Sequence, residues 1–131
     1  MTENEISQIV VDCALKIHKT LGPGLLESAY EECLFFELKN AGLFVEKQKA
    51  LPLIYESVKL DVGYRIDIII EKNFIVEVKS VEALNEVHLA QVLTYLKLSN
   101  CKLGLLINFN VKLIKDGIKR VINGNLEQIE Q

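Results

Sequence analysis

Two carboxylates and a lysine stand in a pattern suited to phosphate chemistry: Asp67, then Glu77 and Lys79, within the stretch YRIDIIIEKNFIVEVK of residues 64–79. Around them Val58, Leu60, Val62, Tyr64, Ile66, Ile68 and Ile70 recur at every second position, the mark of a long strand. Phe74 to Lys79 reads as the next strand, with Glu71, Lys72 and Asn73 as the turn. If those residues form the whole loop, Ile70 pairs with Phe74, Asp67 sits opposite Glu77, and Arg65 sits opposite Lys79. A loop one residue longer or shorter would move Asp67 off that face. Like charges directly opposite one another destabilise a strand pair, and desolvation raises the cost. A divalent cation held by both carboxylates offsets it, and hard oxygen ligands suit Mg²⁺ or Mn²⁺. Lys79 would reach a phosphate or a metal-activated water, and such a group is suited to hydrolysing a phosphodiester. The same residues also fit a solvated strand face with a cross-strand ion pair, and the short pattern alone leaves both readings open.

Other elements must position this face. Thr2 and Glu5 have capping-box spacing, and Ile6, Val10, Cys13, Ile17 and Leu21 follow a helical period. Gly22-Pro23-Gly24 stops that helix; a second runs from about Leu25 to Asn40, with Gly42 as its stop. Glu27, Tyr30, Glu31 and Leu34 share a face of it, and Glu31 reads as a solvated member. Residues 44–55 read as a strand that Pro52 pushes toward an edge or a bulge, and Gly63 is a candidate bend in the next strand. Ser80 is a candidate cap for a third helix, about residues 81–99. His18 is placed to meet the last carbonyls of its helix, and His88 to lie at the surface or cap its own. The apolar run 103–109 fits a strand buried on both faces. Asp116-Gly117 turns a last hairpin between 112–115 and 118–122, and the tail, 123–131, is expected to be flexible. The order is α-α-β-β-β-α-β plus that hairpin: an α/β chain of the mixed α+β kind, one mixed sheet with helices over its faces.

With 131 residues, 50% of them hydrophobic and 25% charged, the chain suits a single domain, 1–131, with a real core. The net charge of −3 argues against coating nucleic acid through bulk charge, though not against a local basic groove. Lys112, Lys115, Lys119 and Arg120 form the densest basic patch, which fits phosphate contact and a guarded hairpin edge equally well. The three cysteines lack metal or disulfide spacing. No signal peptide or membrane span is legible, so the expectation is a cytoplasmic protein with no membrane partner. There is no P-loop, dinucleotide fingerprint or nucleophile elbow.

Two further motifs accompany Asp67 and Glu77-Val78-Lys79. Gly24-Leu25-Leu26-Glu27-Ser28-Ala29-Tyr30 reads GxxExxY, and Gln91-Val92-Leu93-Thr94-Tyr95 reads QxxxY. Together, from about Ile6 to Val121, they resemble the PD-(D/E)xK nuclease superfamily, its RecB-like branch and a family named for GxxExxY. Arg65-Ile66-Asp67 departs from the pattern by lacking the proline of the superfamily name. The resemblance implies a restriction-endonuclease-like core with its site at one end of the sheet. It implies that Asp67 and Glu77 bind Mg²⁺ or Mn²⁺ with the main-chain carbonyl of Val78, and that Glu27 completes the set. Lys79 would position or activate water, while Gln91, Tyr95 and Tyr30 would hold substrate or support the site. The implied activity is a metal-dependent nuclease, on DNA before RNA, with a homodimer allowed through the 103–109 run and the C-terminal hairpin. A non-catalytic module on the same fold, binding nucleic acid or protein, is the competing reading.

Overall fold

The computed structural model describes residues 1–124; of the expected tail, 125–131 lie outside the described residues. Within it Asn123 is tied in, its main-chain N–H donating to Lys102 O and its side-chain amide to Cys101 O.

The first helix, α1 (Glu3–Leu21), starts in the expected capping box of Thr2 and Glu5 and buries Ile6, Val10, Ala14 and Ile17. Its apolar stripe runs through Ala14; Leu21 is exposed. The His18 ring reaches across to the Val111 carbonyl, 2.7 Å away, so it ties two segments together and does not cap its own helix. Helix α2 (Glu27–Asn40) buries Tyr30, Glu31, Leu34 and Leu38.

Strands β1 (Val45–Tyr55), β2 (Val58–Ile70), β3 (Phe74–Lys79), β4 (Leu103–Asn108) and β5 (Ile118–Ile122) form one sheet in that order. β3 and β4 run parallel and the other neighbours antiparallel. The parallel pair needs a crossover, and α3 (Glu86–Ser99) supplies it. α1 and α2 cover one face through Ile68, Ile70, Phe74, Val76, Val78, Leu105 and Ile107. α3 covers the other, packing Val92, Tyr95 and Leu96 with Ile66, Ile69, Ile75 and Leu106. Ile66 thus belongs with α3, whereas strict alternation predicts it beside Ile68 and Ile70: the strand changes phase at Asp67. The expected irregularity at Pro52 is present, as a register shift between Leu51 and Leu53 on the edge strand.

Further sequence expectations need correction. α3 begins at Glu86, capped by Asn85 with His88 closing the box, because residues after β3 are held elsewhere. Ser80 Oγ donates to Leu25 O, and the buried Asn108 side chain exchanges two hydrogen bonds with the Val81 main chain. Residues 112–115 are not a strand; Ile114–Gly117 is a short 3-10 turn that feeds β5 onto the open edge of β4. Glycine is required at its end, since a Cβ on Gly117 would lie 2.1 Å from the Asn108 carbonyl oxygen. Finally, the 103–108 run is wholly buried and hydrogen-bonded on both edges, so it offers no surface to a second copy.

Candidate active site

The β2–β3 ladder stops just where the chemistry starts. Ile70–Phe74, Ile69–Ile75 and Ile68–Val76 pair as a three-residue loop requires. At the next position the side chains take over the main chain's hydrogen bonds. Asp67 N–H donates to Glu77 Oε1 at 3.0 Å, and Val78 N–H donates to Asp67 Oδ2 at 2.9 Å. The two carboxylates are therefore wedged between strands that are parting. Arg65 follows the outgoing strand; it pairs with Ala50, and its guanidinium donates to Gln48 O at 3.3 Å, so the expected placement opposite Lys79 does not form.

Glu77 is 2% exposed. Burial first, and then the negative charge of Asp67, push its carboxyl up to about 9. Among the described residues no salt bridge reaches Asp67, Glu77 or Glu31. A carboxyl in so dry a place as that of Glu77 favours its neutral form when no cation is near. Tyr95 feels the same environment, raised by burial and then by Glu77 and Asp67.

α3 brings the next groups in. Lys79 Nζ donates to Gln91 Oε1 at 3.2 Å, and Gln91 Nε2 donates to the Tyr95 hydroxyl at 3.2 Å. Gln91 and Tyr95 lie one helical turn apart, so one face of α3 presents both. Tyr95 leans on Tyr64, ring centres 6.0 Å apart and tilted by 58°. These side chains, with Val87, Ala90 and Thr94, line an open hollow of about 250 Å³ beside Lys79.

α2 contributes from the other layer, through a residue the sequence reading set aside. Glu31 is buried at 9% exposure, and burial followed by the charge of Asp67 raises it to about 7. Gln48 Nε2 bridges the two acids, 2.7 Å from Glu31 Oε1 and 3.4 Å from Asp67 Oδ1. Glu27, one turn earlier, accepts from Ser80 N–H at 3.3 Å and lines a shallow recess with Leu25, Leu26 and Ser28. Tyr30 is a core residue and not a substrate contact. It is fully buried and stacked on Phe109 at 4.5 Å. Its hydroxyl donates to Gly22 O and accepts from Leu25 N–H, which leaves it nothing to offer a ligand. It fixes the turn that aims α2. The basic residues Lys119 and Arg120 lie on β5, at the sheet edge away from β1, where Arg120 bonds Asn4.

The donor set suits a hard divalent ion. Asp67 and Glu77 offer carboxylate oxygens with no salt bridge to them among the described residues, and Mg²⁺ is commonly held by one or two carboxylates with waters retained. Among the described residues no three His, Cys, Asp or Glu side chains are grouped as a ready cage.

A family model of the PD-(D/E)XK nuclease superfamily matches residues 4–121, nearly the whole chain. The protein belongs to that superfamily. The mixed five-stranded sheet with helices on both faces is consistent with its nuclease core. Membership supports a nuclease-like function that engages nucleic acid. No curated protein and no solved structure matches the chain. Among the described residues no helix is long and apolar enough to cross a membrane.

Proposed function

We propose that the chain is a nuclease that hydrolyses phosphodiester bonds in DNA with Mg²⁺ or Mn²⁺ as cofactor. The observation that carries this reading is the wedged pair, half-buried Asp67 and buried Glu77, set where the β2–β3 ladder ends with no salt bridge to either among the described residues. In this reading Asp67, Glu77 and the main-chain carbonyl of Val78 hold the ion. The helical carboxylate beside them is Glu31, in place of Glu27, because Glu31 is the one bridged to Asp67. The ion, when bound, lowers the pKa of its water and neutralises charge on the phosphate. Lys79 orients the attacking water and donates to a phosphate oxygen as charge grows there. Gln91 fixes the Lys79 ammonium through its amide oxygen, and Tyr95 fixes Gln91. The hollow beside them takes the nucleotide next to the scissile bond.

A pooled set of duplex, single-stranded and branched DNA and RNA, incubated with Mg²⁺ or Mn²⁺ and in parallel with a chelator, tests the proposal. Metal-dependent DNA cleavage that Glu77→Gln removes is the expected result. Cleavage that survives both the chelator and Glu77→Gln would overturn it; metal binding by neither protein would favour a non-catalytic module.

A further inference from the structure

Gln48 carries a backbone that its sequence neighbours do not predict. It lies inside β1, between the paired residues Lys47–Ile68 and Lys49–Ile66, and so stands across from Asp67. Its φ is +52°, the left-handed region that a residue with a Cβ adopts at a cost. Among the described residues five other non-glycine positions have positive φ. Glu56, Ser57, Glu71 and Lys72 lie in turns and Asn100 caps α3, where the conformation is ordinary. Gln48 alone has it mid-strand, and it does so at the acidic site. Three hydrogen bonds hold it there. Arg65 donates to its carbonyl at 3.3 Å, and its own amide reaches Glu31 and Asp67, on two different elements.

We infer that Gln48 is a positioning residue, its left-handed backbone delivering one amide group to both Asp67 and Glu31 so that the two carboxylates are held at a fixed separation for the metal. The inference rests on the nuclease reading above and deepens it. A glutamine suits the task because it donates without adding charge, whereas a lysine would neutralise the acids and compete with the cation. Strain concentrated at one residue of a strand is a recurrent trait of sites whose geometry is over-determined by their surroundings. Partners that orient metal-binding carboxylates generally alter metal affinity or activity 10–100-fold when removed.

The test uses Gln48→Gly and Gln48→Asn. Both residues accept the left-handed backbone. Glycine has no amide side chain, and asparagine is one methylene short of spanning the two acids. Mn²⁺ affinity by calorimetry, kcat and KM on a cleaved DNA, and melting temperature are measured on wild type and both variants. The expected result is an apparent Mn²⁺ Kd weakened at least about 10-fold. At saturating metal, kcat should fall with KM for DNA within about two-fold, while the melting temperature does not drop. Wild-type Mn²⁺ affinity and kcat in both variants would overturn the inference and leave the nuclease reading standing. A wild type that neither binds Mn²⁺ nor cleaves would remove that reading, and the inference with it.

Discussion

The two ends of the β2–β3 pair are built from one alternating sequence pattern and do opposite things. At the loop end Ile68, Ile69, Ile70, Phe74, Ile75 and Val76 make an all-apolar ladder, buried between helices on both faces. One residue further the ladder ends, and Asp67 and Glu77 bond main-chain N–H groups with their carboxylates. The loop end fixes register by excluding water. The open end uses that register to keep two acids in a gap that main-chain pairing would otherwise close. A parting pair of strands lets groups from both layers meet: Glu31 from α2 on one side, Gln91 and Tyr95 from α3 on the other. Stability is concentrated at one end and the candidate chemistry at the other.

That contrast is sharpest for activity. Lys79→Met at the open end is expected to lower the cleavage rate about 10²–10⁴-fold. It should leave Mn²⁺ affinity within a few-fold, since Lys79 contacts Gln91 and not the carboxylates. Single-turnover kinetics beside calorimetry separate the two quantities. A matched loss of both would mean that Lys79 holds the site together and does not act in the reaction.

Phe74→Ala at the loop end should do the reverse. Phe74 is fully buried, so its truncation is expected to remove about 3–5 kcal/mol of unfolding free energy. Denaturant titration reads the loss, and cleavage per folded molecule at low temperature should hold. If activity fell while stability did not, the two ends would not be separate.

The acids give a pH signature of the open end. The ordinary value for Glu77 is 4.5 and the folded chain raises it to about 9. Below 4.5 both folded and unfolded states carry the proton. Between the two values the unfolded chain releases it while the folded chain retains it. Stability from this group is therefore present at low pH and is lost as pH rises through about 9. Glu31, raised to about 7, adds a loss of the same sign over a lower window. Metal-free protein should melt at a lower temperature at pH 8.5 than at pH 5.5, Mn²⁺ should reverse the loss, and Glu77→Gln should flatten the slope. A melting temperature that climbs between those pH values would contradict the buried, unpaired state of the two acids.

The smallest effect is expected in the outer half of β2, where it runs beside β1 alone. Val58, Leu60 and Val62 continue the alternation of Ile66, Ile68 and Ile70, yet they are exposed where the latter are buried. Val62→Thr should change stability by less than about 0.5 kcal/mol. A larger loss would show that the ribbon is covered in solution.

That ribbon also shows what the sequence could and could not carry. Alternation reveals a strand but not whether anything lies on it, so Val62 and Ile68 look alike until α1, α2 and α3 are placed. Local signals were legible: the Thr2–Glu5 box, the loop that pairs Ile70 with Phe74, and the bulge at Pro52. Gln48 was hidden by that bulge. Counting back from the turn, where Tyr55 pairs with Val58, sets Glu46 opposite Asp67. The register shift beyond Leu53 moves Gln48 into that place, and nothing local reveals its size. Glu27 and Glu31 share one helical face, so periodicity could not choose between them. Their difference is depth: Glu31 lies over Gln48 of β1 and Asp67 of β2, Glu27 beside the chain leaving β3. Ser80 has a good cap's chemistry, which is why spacing starts α3 there, but it spends that chemistry on Leu25. Proximity pairs residues 118–122 with 112–115, but the edge of β4, many residues away in sequence, is the better partner.

Titration of Mn²⁺ into wild type and Asp67→Ala, with DNA cleavage followed on the same samples, tests the central claim most directly. The account predicts saturable binding and cleavage in the wild type, and loss of both in a variant that remains folded by circular dichroism. Unchanged binding and cleavage in folded Asp67→Ala would contradict it.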